Sequence, residues 1–231
     1  MHQTDVSKLQ ENIEVEFKSK DLLLTALTHR SYLNENGKWH LDHNERLEFL
    51  GDAVLELIVT DYLYNNYNNP EGEMTNWRAA LVNSVMLAEV SAEINLNDFI
   101  LLSRGEAKDT GRARQYILAN AMEALIGAMY LDSGYETARK FIEKYIIVKL
   151  PKIIESRAYK DHKSLFQEMS QEHVGITPTY EVVREWGPDH DKQFEIGVFL
   201  EKELIAKGEG KSKQEAQQMA AENALKNKGW V

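Results

Sequence analysis

Apolar residues recur at intervals of three and four through the first two thirds of the chain. The stretches DLLLTALTHRSYL, RLEFLGDAVLELIVTDYLY, TNWRAALVNSVMLAEVSAEI, RQYILANAMEALIGAMYLDSG and YETARKFIEKYIIVKL all carry the pattern, and that spacing predicts helices with one or more buried faces. Breaks fall at Asn-Pro-Glu-Gly (69–72), Asp-Thr-Gly (109–111) and Ser-Gly (133–134), where turn chemistry expects them. Residues 1 to about 155 therefore read as almost continuous helix. The stretch PKIIESRAYKD (151–161) reads as the linker region. Beyond it the period changes. DHKSLFQEMSQEHVG predicts one helix ended by Gly175. TPTYEVVREW, KQFEIGVFLEK and ELIAKGEG alternate as antiparallel strands do, and KSKQEAQQMAAENALKNKG predicts a closing helix capped by Ser212 and stopped by Gly229. The order α-β-β-β-α makes a small sheet with two helices on one face.

This pattern divides the 231 residues into an all-α domain over 1–155 (its core about 5–134), a linker at 156–160 and an α+β domain over 161–231. No apolar run is long enough to cross a bilayer, the N-terminus MHQTDVSKLQENIEVEF lacks a signal-peptide layout, and there are no cysteines. Disulfides, thiolate metal sites and thiol nucleophiles are thereby excluded, and a reducing, cytoplasmic setting is expected. The net charge of −10 argues against a generic nucleic-acid binder. The excess is uneven, however: residues 156–231 hold 11 Lys+Arg against 13 Asp+Glu, and residues 1–155 hold 16 against 24.

Candidate chemistry appears in HNERLEFLGDAVLEL, residues 43–57. At about 100° per residue, Glu45, Glu48 and Asp52 fall within roughly 60° of arc. Leu47, Leu50, Val54, Leu57 and Ile58 form the expected core stripe opposite them. A plain wet face accounts for this pattern, but two features count against it. The i,i+4 pairs Glu48/Asp52 and Asp52/Glu56 are like-charged, which costs about 0.2–0.5 kcal/mol each. Gly51 inside the helix costs roughly 1 kcal/mol relative to Ala. Unpaired clustered carboxylates suit a hard divalent cation, and the glycine suits close backbone approach.

A second polar pair, Asn120 and Glu123, interrupts the otherwise apolar run YILANAMEALIGAMYLDSG. An isolated acid in so apolar a helix needs a partner: either an arginine such as Arg30, Arg46 or Arg78, or a metal shared with Glu48 and Asp52. Two carboxylates about 4 Å apart repel by roughly 4 kcal/mol at an effective dielectric of 20. A cation reverses that penalty. Mg²⁺, with Mn²⁺ as substitute, takes such oxygen ligands together with substrate phosphate and activates water for attack.

These segments resemble the ribonuclease III family. HNERLEFLGDAVLEL is similar to the family signature, and ALTHRSY, EGEMTNWRAALVN, RGE and ILANAMEALIGAMYLDSGY resemble its other blocks in order. The tail, from DHKSLFQEMSQ through GPDHDKQF to GEGKSKQEAQQMAAENAL, resembles a double-stranded-RNA-binding domain. The resemblance covers nearly the whole chain. It implies an all-α endonuclease domain followed by an α-β-β-β-α RNA-binding domain. It also implies a homodimer, hydrolysis of double-stranded RNA to 5′-phosphate and short 3′-overhanging ends, and processing of ribosomal RNA precursors and other transcripts. Glu48, Asp52 and Glu123 match metal ligands, with Asp52 and Glu123 needed for catalysis. Glu45 and Glu71 match the RNA cleft or dimer interface. Asn120 stands where the family usually has Asp, so the amide either suffices or leaves a dimer that binds duplex RNA without cutting it. In the tail, Gln167, Gln171 and His190 match minor-groove contacts, and Lys211, Lys213 and Gln214 match phosphate contacts at a helix N-terminus. His29 and His40 read as cap, core or surface residues rather than acid–base catalysts.

Overall fold

The computed structural model describes residues 5–156, 162–188 and 191–230. The chain divides into two compact units, Met1–Tyr159 and Lys160–Val231.

In the first unit the helices are α1 (Ser7–Ile13), α2 (Lys20–Leu27), α3 (Arg30–Glu35), α4 (Glu45–Asn66), α5 (Glu71–Val82), α6 (Ser84–Glu93), α7 (Arg112–Ser133), α8 (Tyr135–Tyr145) and α9 (Leu150–Ser156). Helix α7 is central. Its residues Ile117, Ala121, Met122, Leu125, Ile126 and Met129 are buried on several faces, as expected of a helix apolar nearly all round. Against it lie α2, α4, α6 and α8. The start of α4 is fixed by the buried Asn44, whose side-chain amide donates to the Ala26 carbonyl at 3.3 Å and whose backbone N–H donates to Thr28 at 2.9 Å. His29 caps α3, its ring nitrogen accepting from the Ser31 N–H at 3.3 Å.

Two sequence expectations are corrected. The apolar spacing puts Leu57 on the core stripe of α4, yet it is 58% exposed. The buried face instead runs through Leu47, Gly51, Val54, Leu55, Ile58, Val59 and Leu63, because α7 meets α4 on the side of Gly51. The sequence marks 151–161 as linker, but the first part of that stretch is helix α9. Leu150 and Ile153 are buried in the core and Ile154 packs against it, and Pro151 is tolerated in the first turn because no helical partner is needed there. Residues 157–160 of the expected linker lie outside the described residues.

The second unit runs α10 (His162–Val174), β1 (Thr179–Trp186), β2 (Gln193–Leu200), β3 (Glu203–Gly210) and α11 (Lys213–Lys228). The strands form an antiparallel sheet in the order β1-β2-β3, with an irregularity in the pairing around Val183. Leu165, Phe166 and Met169 of α10 share one core with Val198, Leu200 and the alanines of α11. Small residues let α11 lie close on β3: a Cβ at Gly208 would stand 2.1 Å from the Ala220 nitrogen. Ser212 caps α11 by accepting from the Glu215 N–H at 3.1 Å, and Gly229 ends it in the left-handed region at φ 66°.

Candidate active site and RNA-facing surface

The crossing of α4 and α7 decides where the acidic side chains fall. A Cβ at Gly51 would stand 1.7 Å from the Glu123 carbonyl oxygen, and one at Gly127 would stand 2.3 Å from the Leu47 carbonyl oxygen. Both are backbone atoms with no freedom to retreat, so only glycine allows each approach. Gly51 lies between Glu48 and Asp52 in sequence and touches the backbone of Glu123. The α4 acids are thus brought to the polar pair of α7 by main-chain contact.

The electrostatics follow from that placement. Burial raises the Glu123 carboxyl first, and the charges of Asp52 and Glu48 raise it further, to about 7. Burial also raises Glu48, as do the charges of Glu45 and Asp52, while a hydrogen bond from the Asn120 amide opposes the shift. The arginine partners considered for Glu123 are placed otherwise. Arg30 pairs with Glu45 at 3.4 Å, Arg78 donates to Thr60 at 3.0 Å, and Arg46 lines a cavity beside Phe49. Among the described residues, no cation takes part in the shift of Glu123.

The donor set of Glu48, Asp52, Asn120 and Glu123 is all oxygen, with three potential negative charges and one neutral amide. Its chemistry fits a hard divalent cation. The side chains are electrostatic neighbours without converging on one point: among the described residues, no three acids or histidines form a ready-made metal-holding group.

Other expected site residues fall elsewhere. Glu45 sits one turn before Glu48, held by Arg30 and, at 3.8 Å, by His43. Glu71 opens α5 and lines a groove with Thr60, Tyr64 and Arg78, apart from the acid cluster. His29 is committed to capping, and burial holds its imidazole below the usual range; His40 is exposed, 3.8 Å from Asp21.

On the second unit Gln167 and Gln171 are exposed on α10, the latter donating to the Thr177 hydroxyl at 2.6 Å. Lys211, Lys213 and Gln214 are exposed at the start of α11, where N–H groups and the helix dipole favour anions. The Lys211 N–H donates to the Glu215 carboxylate at 2.8 Å. His190 lies outside the described residues.

Three features escaped sequence reasoning. Gly127 carries no polar or periodic signal; its only mark is a gap in a run of larger residues four positions after Glu123. An apolar patch contains Phe49, which is 83% exposed, and Leu131, which is 55% exposed, beside Leu22 and Leu50. Lys192 and Glu185 join Lys213 in one charged group. Among the described residues no helix is long and apolar enough to cross a membrane.

Comparisons with known proteins give a consistent result. Residues 19–150 match a family model described as ribonuclease-III-like, and residues 162–228 match the double-stranded RNA binding motif. Ribonuclease 3 of Borreliella burgdorferi is 45% identical over 224 residues, covering 96% of this chain and 91% of that protein. Ribonuclease 3 of Campylobacter jejuni is 43% identical over 226 residues, covering 97% and 98%. The solved nuclease domain of ribonuclease III from Campylobacter jejuni, described with reference to its region of dimer formation, is 41% identical. It superposes with a TM-score of 0.57 over 64% of this chain and 99% of that one.

Proposed function

Because the chain belongs to the ribonuclease III family, we propose that it is a divalent-metal-dependent endonuclease that hydrolyses double-stranded RNA. The observation that carries this reading is the glycine crossing, which sets the partly buried Glu123 beside Glu48 and Asp52, where burial and their charges raise its carboxyl to about 7. So costly an arrangement makes sense where a cation and a phosphate come together. A dimer that only held duplex RNA would gain nothing from it, so the non-cleaving alternative is not favoured.

Mg²⁺, or Mn²⁺ in its place, supplies Lewis acidity that activates water and neutralises charge on the scissile phosphate. Glu48, Asp52 and Glu123 would hold it, with the Asn120 oxygen as a neutral acceptor. Asp52 and Glu123 supply the charge catalysis needs. Asn120 steadies Glu48 through its amide, and the glycine crossing sets the spacing of the two acid pairs. Glu45 and Glu71 border the RNA cleft or the subunit interface.

In the second unit Gln167 and Gln171, with His190 by the resemblance alone, would contact the minor groove, while Lys211, Lys213 and Gln214 would meet phosphates across the intervening major groove. The active form is a homodimer. Phe49, Leu131, Leu22 and Leu50 form an apolar surface next to Glu45, and two copies of one patch can pair about a two-fold axis. Each site cuts one strand, leaving 5′-phosphates and short 3′ overhangs. The substrates are ribosomal RNA precursors and other structured transcripts of the cytoplasm.

The test is incubation of labelled duplex RNA with Mg²⁺, Mn²⁺ or EDTA, beside the Glu123→Gln variant. Short duplex products that need both metal and Glu123 support the reading. Intact but gel-shifted RNA under every condition overturns it.

A further inference from the structure

At the end of the small sheet, three charged residues and one ring form a compact group. Glu185 of β1 and Phe194 of β2 are paired in register. The Lys192 ammonium lies 2.8 Å from one Glu185 carboxylate oxygen, and that of Lys213 lies 4.0 Å from the other. Both ammoniums also sit over the Phe194 ring, 5.8 Å and 5.7 Å from its centroid. The pairs are accessible: the side chains of Lys192, Lys213 and Glu185 are 41%, 59% and 37% exposed. The neighbouring Glu215 is committed differently, accepting from the Lys211 N–H.

We propose that Glu185 is an internal counter-anion, competing with RNA phosphate for Lys192 and Lys213 and so weakening the grip on duplex RNA. The inference rests on the reading above that Lys213 faces phosphate, and it adds Lys192 to the RNA-facing cations. Two physical points favour competition over positioning. Phe194 gives both ammoniums a second attraction that does not depend on the carboxylate, since cation–π contact extends to these distances. Lys213 also stands at the outer limit of an ion pair, where orientation is weakly enforced.

Salt dependence separates the two roles. A lysine that meets phosphate releases condensed counterions from the nucleic acid, giving a slope of about −0.9 per neutralised phosphate on the B-DNA scale. If the lysines must first leave Glu185, the freed carboxylate takes up a cation from solution. Net ion release then falls by up to one.

The experiment is fluorescence anisotropy of the full chain with labelled duplex RNA, in EDTA, over a KCl series. Glu185→Gln should bind about two- to tenfold tighter at low salt, the range implied by two exposed ion pairs of typical strength. Its slope should steepen by up to about one unit. Lys192→Gln should lose more affinity in the Glu185→Gln background than in the wild type. Weaker binding by Glu185→Gln with unchanged melting behaviour would assign Glu185 to positioning and overturn the proposal, as would an unchanged slope. Glu185→Ala distinguishes a poor glutamine fit from loss of charge, because both variants must shift the same way. Failure of the wild type to bind duplex RNA even at low salt would instead remove the functional reading itself.

Discussion

Replacing Glu123 by glutamine removes a titration while keeping the shape of the side chain. In the folded protein Glu123 is raised from 4.5 to about 7, so between those values the native state holds a proton that the unfolded chain has released. Glu123 therefore contributes stability that is complete below about pH 4.5 and is lost as pH rises through 7. The full shift corresponds to roughly 3 kcal/mol. Because the group is only partly buried, solvent screening reduces this to about 1–2 kcal/mol. At pH 8 in EDTA the Glu123→Gln variant should be more stable than wild type by about that amount, or roughly 2–8 °C in melting temperature for a chain of this size. At pH 5 the gap should narrow to roughly 0.5–0.8 kcal/mol, because native Glu123 keeps its proton while the unfolded carboxyl has released most of its own.

The assay is differential scanning calorimetry of the full chain at pH 5 and pH 8. Glu48 is also raised, so some pH dependence persists in the variant with the same sign. Adding Mg²⁺ at pH 8 should stabilise the wild type more than the variant, because ligand binding to the native state adds to stability. An equal gap at both pH values, or a variant less stable at pH 8, would refute the electrostatic account of this crossing.

Three further outcomes are expected. Gly51→Ala places a Cβ 1.7 Å from the Glu123 carbonyl oxygen, so the helices must separate; a loss of about 3 kcal/mol or more, or insoluble protein, should appear in circular-dichroism melts. Asn120→Asp adds a fourth carboxylate to Glu48, Asp52 and Glu123, so cleavage should saturate at lower Mg²⁺ while the protein melts earlier in EDTA; unchanged Mg²⁺ dependence would show that the amide suffices. Phe49→Asp puts a charge into the exposed apolar patch beside Leu131 and should shift the protein from dimer to monomer in analytical ultracentrifugation, while its circular dichroism stays native.

Much of this organisation was legible in the residues. The run around Glu123 is so apolar that only a buried helix suits it, and α7 is that helix. The cost of Gly51 signalled close approach, and Glu123 is what approaches. Ser212 and Gly229 marked both ends of α11. What stayed hidden depends on which elements meet. Leu57 fits a helical stripe as well as Leu55 does, and only the position of α7 exposes one and buries the other. Helix α9 was obscured by Pro151 and by polar residues around Ile153, whose burial comes from the rest of the bundle. Glu185 and Lys213 lie 28 positions apart and are brought near by strand register, which charge counting along the chain does not reveal. The link between Glu45 and Arg30 is likewise tertiary.

The paired glycines at the crossing leave the two long helices no spacer of side chains. Main chain rests on main chain at Gly51 and Gly127, so the axes cannot draw nearer. Glu48, Asp52 and Glu123 stand beside that contact, so their spacing is fixed by backbone rather than by side chains that a substitution elsewhere could loosen.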